Sequence, residues 1–174
     1  SLIMISSVFG IIFSGYSQQS YQLKYNGLKF MRQENWVSTS INKQRLYFDY
    51  FPTEVQQINL SQDVIASLLN KPEIDVTSHV NDTFSKEIAL AEYNFPYALT
   101  NVYIRQGFTT NNTFNLPILT CKDATQAVPI ILFKQSNKTR ITVNNSCVIA
   151  EARTNADILR IKDRLVYALL GVIR

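Results

Sequence analysis

The chain has 174 residues, of which 46% are hydrophobic and 17% charged, and its net charge of +4 comes from 17 basic and 13 acidic side chains. That is enough apolar material to build one packed domain and too much for an intrinsically disordered chain. Five Gly, five Pro, two Cys and one His exclude collagen-like and proline-rich architectures, disulfide-dense mini-domains and four-cysteine zinc sites.

Leu2 to Phe13 reads LIMISSVFGIIF, and no ionisable side chain appears before Lys24. This is the pattern of a membrane anchor or signal-like helix, assigned here to residues 1–17, with membrane lipid contacted through residues 2–16. At about 1.5 Å per residue, Ser1 to Tyr16 covers roughly 24 Å of a hydrocarbon layer some 30 Å thick, so a full span needs a few more residues upstream. A buried helix or a filament-core helix is the alternative. Residues 18–22 form a polar linker, and residues 23–174 a single α+β domain on the extracytoplasmic side of the cell membrane.

The domain opens as a β-meander. Asn26-Gly27 supplies the positive φ angles of a tight hairpin joining Tyr21–Tyr25 to Leu28–Arg32, and Trp36–Ile41 and Arg45–Phe51 follow as strands. In the last strand Leu46, Phe48 and Tyr50 alternate with Tyr47, Asp49 and Phe51. Ser61 caps a short helix that Pro72 stops. Ile74–Val80, a helix over Phe84–Asn94 ended by Pro96, and Val102–Phe108 make a βαβ unit. Thr109–Pro117 is a polar loop, and Val128–Phe133 is apolar enough for a central strand covered on both faces. A hairpin about Asn144-Asn145 joins Thr139–Val143 to Cys147–Ala152. Thr154 and Asp157 then form the capping box of a last helix, for which Gly171 suits the end. Its apolar face is expected to lie on the sheet, interrupted by Arg160, Lys162, Asp163 and Arg164.

Charge is segregated along the chain. Lys24 to Phe51 holds five basic and two acidic residues, Pro52 to Phe133 four and eight, and Lys134 to Arg174 eight and three. The basic residues alternate with apolar ones instead of forming a dense stripe, so no nucleic-acid partner is expected. Five N-x-S/T triplets begin at Asn59, Asn81, Asn111, Asn137 and Asn144, all in loops, turns or helix starts where a glycan could be carried. Cys121 and Cys147 form an even pair; a bridge between them closes a loop of about 25 residues and contributes about 3 kcal/mol by loop entropy. Both features point to an oxidising, extracellular setting. Two buried free thiols are the alternative.

Catalytic signals are sparse. The sequence holds no Gly-rich phosphate loop, no His-containing metal motif, no G-x-S-x-G and no C-x-x-C. Glu87 and Glu92 stand five apart on a helix and so do not share a face. His79 reads as a strand-end residue, with Asp75 and Asp82 as the carboxylates that a catalytic role would require. No catalytic residue, metal or cofactor is assigned. Work by surface contact is expected instead, with a protein partner or by self-association, through Trp36, Tyr47 and Phe51 of the meander.

Two resemblances bear on this expectation. The order strand, helix, strand, then Val128-Pro129-Ile130, a hairpin and a helix is similar to thioredoxin-like domains, in which a proline precedes the third strand. This sequence has His79, Val80, Asn81 and Asp82 where those enzymes carry C-x-x-C. The rival reading that follows is a thioredoxin-like extracytoplasmic enzyme or redox protein. The runs Tyr25-Asn26-Gly27-Leu28-Lys29-Phe30, Cys121-Lys122-Asp123-Ala124, Asn145-Ser146-Cys147-Val148-Ile149 and Asp163 to Gly171, after an apolar amino-terminal segment, look like small single-span archaeal proteins of uncharacterised function. That resemblance implies an anchored, outward domain and no activity. The leading reading is a binding or assembly domain, an accessory subunit or cell-surface structural protein, with a filament subunit as a further alternative.

Overall fold

The computed structural model describes residues 20–174, so the apolar run assigned to residues 1–17 lies outside the described residues. Among the described residues no helix is long and apolar enough to cross a membrane. The architecture is mixed α+β, with a meander sheet and a second, mixed sheet.

The meander contains β1 (Tyr21–Tyr25), β2 (Leu28–Gln33), β3 (Trp36–Ile41) and β4 (Gln44–Phe48), all antiparallel neighbours in that order. β1 thus starts two residues inside the stretch assigned to the linker. Its first turn is Asn26-Gly27, at φ of 46° and 79°, and Asn42-Lys43 makes the β3–β4 turn at 51° and 66°. The last strand ends at Phe48, three residues sooner than its alternation suggests. The backbone amides of Asp49 and Tyr50 leave the ladder and donate instead to Asp163 Oδ2, each at 2.8 Å. Pro52 then opens α1 (Pro52–Val55), where its missing N–H costs nothing. α2 (Gln62–Leu68) follows, with Ser61 Oγ accepting from the Val64 amide.

The mixed sheet has the order β6-β5-β7-β9-β8 and is built from β5 (Glu73–Ser78), β6 (Tyr103–Phe108), β7 (Ile130–Gln135), β8 (Arg140–Asn144) and β9 (Cys147–Ala152). β5, β6, β7 and β9 run parallel, and β8 alone is antiparallel. The continuous apolar strand is central, as its composition predicts. The β8–β9 turn falls on Asn145-Ser146, one residue later than expected, with Asn144 paired to Cys147. α3 (Ser85–Ala98) runs through Pro96 where the sequence suggests a stop. A proline in the last turn removes only the bond to the carbonyl four residues back, and the Leu99 amide still closes on Phe95 O at 2.9 Å.

α4 (Asn155–Leu169) starts with the expected capping box and ends before Gly171, at φ of 73°. The helices lie between the sheets. Tyr167 of α4 stacks on Phe48 at 4.2 Å and meets Phe30 edge-on at 5.9 Å, while Phe95 of α3 meets Phe133 of β7 at 6.3 Å. One apolar core therefore runs from Phe30 and Val37 through Ile88, Phe95 and Leu165 to Ile131 and Val148. Each of these buried side chains contributes roughly 1.5–3 kcal/mol. Sandwiching also explains why Lys162, Asp163 and Arg164 are buried, although the sequence pattern reads them only as charges that interrupt the apolar face of α4.

The long segment between β6 and β7 lies over the outer face of the mixed sheet. Thr77 Oγ1 donates to Leu119 O at 2.8 Å, and Cys121 is bridged to Cys147 of β9 with Cα atoms 5.3 Å apart. A Cβ on Gly107 would sit 2.6 Å from Pro117 O and from Leu119 Cδ1, so only glycine lets the segment lie this close. Beside it Arg105 clamps the buried Asp75, with Nε at 2.9 Å and Nη2 at 2.5 Å, and Arg140 pairs with the buried Glu151.

Candidate functional site

Trp36 opens β3, and Tyr47 sits opposite Ser38 on β4. Both rings point away from the core and meet edge-on at 6.5 Å; Trp36 is 42% and Tyr47 56% exposed. They wall a cleft of about 410 Å³ that is completed by Phe48, Asp49, Asn94 and Lys162. Asn94 brings in α3, on which Leu90 and Tyr97 share its stripe at four residues before and three after. Both are exposed, and Tyr97 holds the exposed Tyr93 through a 2.9 Å bond between their hydroxyls. Exposed aromatic pairs thus stand on the meander, at the cleft, and on α3, which supplies Asn94 to it.

Phe51, expected on this surface, is only 4% exposed and is not part of it. Strand alternation places it outward only if the strand persists, and it does not. Phe51 turns in against Tyr21, 5.5 Å between centroids, with the Arg32 guanidinium 4.7 Å above its ring.

The floor of the cleft is ionic. Lys162 Nζ lies 2.7 Å from Asp49 Oδ2 and 2.5 Å from Asp163 Oδ1. Burial opposes the ammonium charge, but the carboxylates of Asp163 and Asp49 outweigh it and hold Lys162 above its ordinary value. Burial pushes the Asp163 carboxyl up to about 6, against the pull of Lys162 and of the Tyr50 amide. This network joins the end of β4 to α4 and fixes the wall that carries Tyr47.

A second cavity, of about 540 Å³, is lined in part by Tyr93 of α3. It holds Glu92, whose candidacy the sequence obscures by its distance from Glu87. The usable signal was its position four residues after Ile88 and three before Phe95, on the apolar stripe of α3. Glu87 is not among the residues lining that cavity; its Oε1 accepts from Asn155 Nδ2 at 3.3 Å.

The remaining expected residues fall in several places. His79 Nδ1 accepts from the Asn81 amide at 3.1 Å within a turn. Its two candidate carboxylates are engaged elsewhere, Asp75 with Arg105 and Asp82 with the amides of Phe84 and Gln135. Asn59, Asn81, Asn111, Asn137 and Asn144 are all exposed. None of the five lines the aromatic cleft. Cys147 is 1% exposed within its bridge. No family model, curated protein or solved structure matches this chain.

Proposed function

We propose that this chain is a membrane-anchored, extracytoplasmic binding or assembly domain, an accessory subunit or surface protein that works by contact with a protein partner or with its own copies. The observation that carries the reading is the exposed pair Trp36 and Tyr47, 42% and 56% exposed, which walls a cleft that α3 helps to complete through Asn94. Rigid aromatic anchors beside a polar, hydrogen-bonding floor are the composition of protein interfaces. The five exposed sequon asparagines, the Cys121–Cys147 bridge and the apolar run before Lys24 support an outward location at a membrane. The redox rival requires an accessible thiolate; here both cysteines are joined in one bridge, with Cys147 buried and Cys121 partly exposed.

The test is the mass of the full chain in detergent, combined with cross-linking in its native membrane, for the wild type and for Trp36→Ser with Tyr47→Ser. The expected result is a complex larger than one chain that the double variant loses, at unchanged thermal unfolding, since exposed positions shift stability by only about 0.5 kcal/mol. A wild-type chain that is monomeric and cross-links to nothing overturns the reading.

A further inference from the structure

Glu92 is only 6% exposed, and its Oε1 has no hydrogen-bond partner. A buried carboxyl without a partner is among the more costly things a fold can keep, and replacement by an apolar residue would relieve it. It lines a cavity large enough for a small organic molecule. Ser78 and Gln106, from the carboxyl ends of β5 and β6, line it too, along with the rings of Phe108, Phe114 and Tyr93. Phe108 and Phe114 stand 5.7 Å apart at 38°, and Phe114 is 65% exposed at the mouth. A single buried acid among aromatic rings complements one kind of group, a cation with an apolar stem, which gains both an ion pair and ring contacts.

We infer that this cavity binds an alkylammonium group, with Glu92 as its counter-ion, Ser78 and Gln106 as polar neighbours and the three rings around its stem. The source of that group is a free amine or the lysine side chain of a partner; the chemistry is shared. Burial pushes the Glu92 carboxyl up to about 8, so the acid is protonated at neutral pH and must release its proton as the cation enters. The other titratable residues lining the cavity are Lys86 and Tyr93, both exposed on α3; β5, β6 and the loop contribute none to the lining.

The experiment titrates the full chain in detergent with n-butylammonium, n-butanol, butyrate and N-acetyl-lysine methylamide, following heat and proton release. Expected is binding of n-butylammonium that tightens on the order of 50-fold from pH 6 to pH 8, with proton uptake by the buffer, as the ionised fraction of a group near 8 rises. Glu92→Gln, which keeps shape and removes the charge, should weaken it tenfold or more and abolish the proton release while leaving n-butanol unaffected. Binding of the lysine derivative but not of n-butylammonium supports the site and identifies a partner side chain as the source. Equal affinity for n-butanol and n-butylammonium, tighter binding of butyrate, or an unchanged affinity in Glu92→Gln overturns the inference, whatever becomes of the aromatic surface.

Discussion

Asp163 and Glu92 sit on the two packed helices of the middle layer, and the contrast between them shows what a buried acid needs. Asp163 is the more deeply buried, at 0% exposed against 6%, yet its carboxyl rises only to about 6 whereas that of Glu92 rises to about 8. Burial works in the same direction on both. The difference is company: Asp163 has an ammonium 2.5 Å away and two backbone amides at 2.8 Å, while burial is the one cause acting on Glu92. Partnered burial holds two elements together; unpartnered burial leaves a group waiting for something else.

The largest effect should come from breaking the partnered site. Lys162→Met leaves Asp163 without its cation and is expected to cost about 3–5 kcal/mol in denaturant unfolding. Glu92→Leu, measured alongside, should be neutral or stabilising, because it removes a buried carboxyl whose Oε1 has no hydrogen-bond partner. If both variants cost the same, the contrast is lost.

Next in size is the pH dependence. A carboxyl raised in the fold stabilises it fully below the unfolded value, and that contribution is lost as pH climbs through the folded one. For Asp163 the window runs from its ordinary 3.8 to about 6, and for Glu92 from 4.5 to about 8. Between pH 6 and 8 the decline therefore belongs to Glu92, at up to about 1.4 kcal/mol per pH unit and about 2 kcal/mol in total. Glu92→Gln should flatten the curve there and, below pH 6, leave only the part of the fall that belongs to Asp163. The smallest effect expected is that of Tyr167→Phe, which deletes the bond from Tyr167 Oη to Tyr50 O on the same seam. It should cost about 1 kcal/mol by thermal unfolding and leave the pH curve unshifted.

Much of the architecture was legible because it is written in local chemistry. Asn26-Gly27 permits little but a tight hairpin, Thr154 with Asp157 makes a helix start, and Val128–Phe133 is too apolar for an edge. The bridge between Cys121 and Cys147 followed from two cysteines in one half of the chain. What sequence pattern missed depended on partners distant along the chain. Phe51 turned inward because Asp163 captures the amides before it, and Lys162 is buried because α4 is covered by the meander as well as by the mixed sheet. Glu92 sat on an apolar stripe in plain view, but only the surrounding strands and the loop bearing Phe114 make that position a cavity.

The meander owes its inner cover to the far end of the chain. Asp49 and Asp163 are 114 residues apart, and Asn26 Nδ2 reaches Val172 O at 2.8 Å. At the usual 5–20 residues per second, a ribosome makes α4 roughly 6–20 s after the sheet it must cover. For that interval Phe30, Val37, Leu46 and Phe48 have no lid, and the strand edges at β1 and β4 are free to pair with another nascent chain. The first sheet to leave the ribosome is thus the last to close, and a holding chaperone acting during that gap should raise the yield of folded protein more than one supplied afterwards.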